Sequence, residues 1–135
     1  LAVFERQTGD KVTTAVHVHA FKQMEAFVGL VKKAGAKVVV GSHSDVPHAK
    51  RGWAYQRELE LLVASGLTPM EAIVAGTSEN ARYFHIDDRL GSVETGKLAD
   101  LILIQGDPLK DISNMRRIQR VMLNGIWQKA EAEGK

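Results

Sequence analysis

Three valines in a row, Val38 to Val40, stand between Gly35 and Gly41 directly after a stretch of helical periodicity; this feature narrows the fold most. A continuous β-branched run offers no polar face to water. It suits a short strand buried on both sides, as in a parallel sheet flanked by helices. The segment before it supplies a helix. Phe21, Met24, Phe27, Val28 and Val31 fall along one side, and Gly35 stands where a C′ residue would end the element. The segment after it, "SHSDVPHA", packs His43, Asp45 and His48 into a few residues. Ligand-type side chains clustered at a strand end are the arrangement found at the mouth of a catalytic barrel.

The remainder divides by pattern. In "WAYQRELELLVASG", Tyr55, Leu59, Leu62 and Val63 share a helical face, and Gly66 closes it. Glu58 and Glu60, beside Arg57, read as a solvated face of that helix. Thr68, Pro69 and Glu71 form an N-cap, a first-turn proline and a capping box, and "SENARYF" predicts one more short helix. The character changes near Asp88 to Ser92. "GSVETG" predicts a short strand, Leu101 to Ile104 a strongly apolar one, and "PLKDISNM" a turn or short helical turn. "RIQRVMLNGIWQ" predicts a hairpin across Asn124-Gly125, a pair suited to a type I′ turn. Asp87, Asp88, Asp100 and Asp107 lie in turns, where backbone capping accounts for them. The residues therefore predict an α/β chain with a small antiparallel β segment at its end.

Composition excludes some classes of function. A formal net charge of +2, with the basic residues dispersed, argues against nucleic acid and against an anionic membrane surface. No apolar run approaches the roughly 20 residues that span a bilayer. There is no cysteine, hence no disulfide frame and no thiolate ligand, which fits a reducing, cytoplasmic compartment. Charge comes too early in "LAVFERQTGD" for a signal peptide, and the first residue is Leu1 rather than methionine, as in a processed product or part of a longer gene.

Four stretches in this order resemble the C-terminal part of the amidohydrolase superfamily, in its imidazolonepropionase- and prolidase-like branch. "AGAKVVVGSHSDVPHA" is similar to the last barrel strand and its loop, and "RELELLVASGLTPMEAIVAGTSENAR" to the helices that follow. "DRLGSVETGKLADLILIQGDPL" is similar to the return into a small β-sandwich, and "RVMLNGIW" to its closing hairpin. The resemblance implies a partial (β/α)8 barrel, its last strand and helices, in residues 1–90. It implies strands of a composite β-sandwich in 91–128 and a frayed tail in 129–135. A complete barrel takes about 250 residues, and the chain has 135. The resemblance also implies a divalent metal, zinc as a rule, that activates water for attack on a C–N bond of a small amide or dipeptide.

On the family pattern, Gly-Thr-Asp, Gly41 and Ser42 match the first two positions. His43 falls where the aspartate would be, and Asp45 two residues later. An imidazole can bind zinc and accept a proton near neutral pH, so His43 is the candidate metal ligand and catalytic base. Asp45 is a second catalytic candidate, since residues i and i+2 of an extended chain point to one side. The plainer alternative is a histidine that hydrogen-bonds at a strand end. His48 and Arg51 are the candidate substrate-binding residues on the loop above; Trp53, Tyr55 and Arg57 reach towards the same rim. His17-Val18-His19 has the spacing of the family's first-strand metal pair, but it stands close to the last strand instead of most of a barrel before it. "KVTTAV", just ahead of it, has strand composition and reads as a piece of the seventh strand or its loop.

Two functions are compatible with these residues. One is the C-terminal region of a hydrolase that needs an N-terminal region to act, so that the chain alone is inactive and binds no metal. The other is a non-catalytic fragment that associates with itself. A lone strand with unpaired edges and an uncovered helix face is an association liability, so homo-oligomers are expected in either case.

Overall fold

The computed structural model describes residues 11–41 and 53–129. Helix α1, Lys11–Lys33, opens the described chain. It corrects the strand expected at "KVTTAV". The few tenths of a kcal/mol by which each Val or Thr disfavours a helix are outweighed when the 3.6-residue pattern runs on unbroken through Val16, Ala20, Met24 and Phe27. Lys32 and Lys33 in the last turn complement its dipole. The helix ends as expected at Gly35, φ 81°. There the Ala36 N–H reaches the Val31 carbonyl at 3.2 Å and the Gly35 N–H that of Lys32 at 2.9 Å.

The apolar stripe of α1 does not all go inward. Val28 packs on the core, yet Met24, Phe27 and Leu30 remain 67%, 65% and 64% exposed. The helix meets its neighbour through another face. A Cβ added at Gly29 would lie 2.6 Å from the Ser65 carbonyl oxygen, so this glycine permits the close approach.

Three helices follow: α2 (Trp53–Ala64), α3 (Pro69–Ala75) and α4 (Ser78–Tyr83). They form where the sequence places them. Leu59 and Leu62 are buried, with Tyr55 and Val63 packed around them. The core joins Leu59, Leu62, Leu67, Ala72 and Ala75 to Val40 on one side, and to Ile112 and Met115 of a 3-10 helix, Ile112–Arg116, on the other. The Asp111 side chain caps that short helix through the Ser113 N–H.

Strand β1 (Leu101–Ile104), β2 (Ile118–Leu123) and β3 (Ile126–Trp127) make one antiparallel sheet in that order. The register pairs Leu101 with Met122 and slips between Leu103 and Ile104. Asn124 and Gly125 both have positive φ, 48° and 78°, as a type I′ turn requires. Asp100 holds the turn in place, its Oδ1 accepting the Asn124 N–H at 2.6 Å. Two expected strands are absent among the described residues. Residues 92–97 form no strand, with a turn at Thr95-Gly96, and Val38–Gly41 joins no sheet. No helix of the described residues is long and apolar enough to cross a membrane.

The start of α3 yields a test. Thr68 Oγ1 accepts the Glu71 N–H at 3.2 Å, and Glu71 Oε2 accepts the Thr68 N–H at 2.7 Å. Lys32 lies 3.0 Å from the same carboxylate. The Thr68 N–H first, then Lys32 and the Thr68 hydroxyl, bring the Glu71 carboxyl down to about 2. Its folded pKa lies below the unfolded one, so the stabilisation is complete above the ordinary glutamate range. It is lost as pH falls towards about 2. Glu71→Gln keeps an acceptor but cannot titrate. Its melting temperature is expected to lie below that of the parent near neutral pH and to converge with it on acidification. A gap independent of pH would contradict the assignment.

Candidate functional site

The end of the Val38–Gly41 segment is where α2, α3 and α4 meet. Val40 is buried, and its N–H donates to the Ala75 carbonyl at the end of α3, 3.3 Å away. Its own carbonyl accepts from Asn80 Nδ2 of α4 at 2.9 Å. The next N–H, that of Gly41, donates to Glu58 Oε1 of α2 at 3.0 Å. Two side chains and a helix-end carbonyl take the place of the strand neighbours that the sequence pattern calls for.

His43, Asp45, His48 and Arg51, the candidates for catalysis, metal and substrate, lie outside the described residues. What the structure gives is the platform from which they begin. Of its members, Asn80 was not singled out in the sequence, and Glu58, read there as part of a solvated face, instead accepts the Gly41 N–H. No local pattern marks them, because their bonds join residues far apart in the chain. Around the platform, Tyr55 donates its hydroxyl to the Gly76 carbonyl at 3.4 Å. Burial pushes the Tyr55 phenol up, and the Glu58 carboxylate adds to the shift. Asn80 Oδ1 is buried, and among the described residues nothing donates to it.

The other face of α2 is not solvated as expected. Glu60 receives Arg116 through both oxygens, at 2.6 Å each, and Arg57 at 2.9 Å. Arg116 also stacks over the Trp53 ring at 5.9 Å. A planar guanidinium matched to a carboxylate is the strong form of an ion pair. It binds the 3-10 helix to α2 and engages Trp53 and Arg57 there.

His17 and His19 both lie on α1. Residues two apart on a helix are turned by about 200°, so the spacing that would converge on a strand diverges here. Among the described residues no group of three His, Asp or Glu side chains could hold a metal ion. A cleft of about 460 Å³ runs past Asn80 between α4 and β1, lined by Phe84, Ile86, Leu98 and Ile102 among others.

Residues 8–127 match the model of the amidohydrolase family. The chain is 32% identical to the imidazolonepropionase of Picrophilus torridus over 119 residues, which covers 85% of this chain and 30% of that protein. It is also similar to the crystal structure of a Xaa-Pro dipeptidase with methionine bound in the active site. There the identity is 33% and the TM-score 0.72, with 81% of this chain and 26% of that one covered. For molinate hydrolase the figures are 30% and 0.69, with 75% and 25% covered. The chain therefore spans less than a third of the length of these relatives. The matched stretch takes in α1, the Val38–Gly41 platform, the capped helices and the closing hairpin in a single order, and so the chain belongs to the amidohydrolase family.

Proposed function

We propose that the chain is the C-terminal region of a metal-dependent amidohydrolase that cleaves a C–N bond in a small amide or dipeptide. Residues 1–90 then supply the last strand and helices of a (β/α)8 barrel, and residues 91–128 strands of a composite β-sandwich. One observation carries this reading. Three helices converge on Val40 and Gly41, the last described residues before His43, Asp45 and His48. The names of the relatives, an imidazolonepropionase and a Xaa-Pro dipeptidase, support a substrate of this class.

In this reading His43 ligates the metal and accepts a proton near neutral pH. Asp45 is the second catalytic group, and His48 and Arg51 hold the substrate, Arg51 through a carboxylate. A catalytic zinc takes about three protein ligands, and the described residues supply no such group. The described residues alone form no metal centre, so the remaining ligands beside His43 would come from outside them.

The expected result follows. The purified chain, given zinc and an Xaa-Pro dipeptide, should bind less than one equivalent of metal and show no turnover. Metal analysis and a ninhydrin assay for released proline test this. Stoichiometric zinc together with turnover would show that the chain needs no further region.

A second reading is favoured by α1. Val16, Met24, Phe27 and Leu30 form an exposed stripe on this helix, and a stripe of that kind is an association surface. In that reading the chain is non-catalytic and a second copy covers the stripe. Sedimentation giving a monomer at tens of micromolar would eliminate it.

A further inference from the structure

We propose that the free edge of β1 and the apolar cleft beside it form a docking groove for an extended segment of another polypeptide. That segment carries apolar side chains at alternate positions and a basic residue at one end. The sheet runs β1-β2-β3, so one side of β1 pairs with β2 and the other with no strand among the described residues. Hydrogen bonds at the two ends of β1 fix which backbone groups lie on each side. The Ala99 carbonyl accepts the Gly125 N–H at 3.1 Å, and the Gln105 N–H donates to the Arg117 carbonyl at 2.8 Å. Both bonds cross to the side of β2. Backbone groups alternate along a strand, so Leu101 and Leu103 also turn theirs to β2. Ile102 and Ile104 then each present an N–H and a C=O on the open edge.

Such an edge is a template for one more strand. The cleft of about 460 Å³ opens along its first half, where Asp100, Leu101 and Ile102 line it, with Ala81 and Phe84 on the side of α4. Phe84 and Ile102 stand 64% and 44% exposed, so the described residues leave this lining open. A peptide that adds to a sheet edge is held by main-chain bonds, and pockets beside the edge select alternate side chains. Asp100 is the only charged residue in the lining. Its Oδ1 accepts the Asn124 N–H, and its charge favours a base in the incoming segment. A second copy fits less well. The sequence around β1, "ADLILIQGD", holds two aspartates and no base, so pairing β1 with itself would bring like charge towards Asp100. This docking involves no hydrolysis and stands apart from the function proposed above.

Amide hydrogen exchange of the purified chain by NMR tests the proposal, with an acetylated, amidated hexapeptide of alternating valine and threonine that begins with lysine. With saturating peptide, the Ile102 and Ile104 amides should exchange at least about tenfold more slowly than without it. The Leu103 amide, already turned to β2, should not change. A peptide methylated on every backbone nitrogen should not bind. Ile102→Pro removes a donor from the open edge and spares the bonds to β2, a placement that edge strands tolerate. It should abolish binding while Leu103 stays protected; if that protection is lost, the methylated peptide decides. Asp100→Asn keeps the acceptor for the Asn124 N–H and loses the charge. Affinity for the peptide should then fall about threefold at low salt, and affinity for a peptide beginning with glutamine should stay as it was. No binding at millimolar peptide, equal binding of the methylated peptide, slowing at Ile126 and Trp127 instead, or binding by folded Ile102→Pro would overturn the assignment. So would an Ile102 amide protected without peptide, and more so as the protein is concentrated, since a second copy would then hold the edge.

Discussion

Leu59→Ala is expected to lower the free energy of unfolding by about 2–5 kcal/mol, the range for truncating a fully enclosed leucine. Leu59 has no exposed surface and is the largest side chain so enclosed among the described residues. Around it the core brings together α2, α3, the 3-10 helix and Val40. A cavity there cannot be closed by moving one neighbour, because those neighbours belong to separate elements. A domain of this size has a total stability of about 5–15 kcal/mol, so the loss would leave a substantial unfolded fraction. Urea denaturation followed by circular dichroism should show a lower midpoint at constant slope. Leu123→Ala, at a site 50% exposed, should cost less than about 1 kcal/mol. Equal effects at the two sites would mean that the core lies elsewhere.

Local signals were readable in the sequence, and signals between distant residues were not. The capping box of Thr68 and Glu71, the glycine after α1 and the Asn124-Gly125 turn each depend on a few consecutive residues, and each forms as the pattern predicts. The first turns of α1 misled because β-branched residues carry strand propensity, while the length of the amphipathic pattern decides. Glu60 misled because a carboxylate beside an arginine looks solvated until Arg116, 56 residues on, is known to fold against it. The site was half legible. Its position after the valine run is an expectation from the sequence, and the candidate residues themselves lie outside the described residues. Its supports could not be read, since Glu58 and Asn80 reach Gly41 and Val40 across 17 and 40 residues. Nothing in the valines tells that a side-chain amide and a carboxylate take up the hydrogen bonds of missing strand neighbours.

Gly91→Ala is expected to be about as damaging as the loss of Leu59, for a different reason. Gly91 lies in "DRLGSVETGKLAD", where the chain turns from α4 towards the sheet, and its φ is 92°. Backbone in this region costs a residue with a Cβ about 1–3 kcal/mol. The space is also taken. A Cβ at Gly91 would lie 2.5 Å from that of Ala81 and 3.0 Å from the Ser78 Cα, both on α4. Overpacking of that kind costs about 1–3 kcal/mol more. Gly96 separates the two contributions, since its φ is 91° and a Cβ there would meet nothing within 4 Å. Gly96→Ala should therefore carry only the backbone cost, and Gly91→Ala about 2–6 kcal/mol in all. The difference between the two in chemical denaturation measures the contact with α4. That contact bears on the candidate site, because α4 carries Asn80, and pushing the helix away should also weaken its hold on the Val40 carbonyl. Two variants equally destabilised, or a Gly91→Ala chain as stable as its parent, would show that the return segment does not rest on α4 as the structure has it.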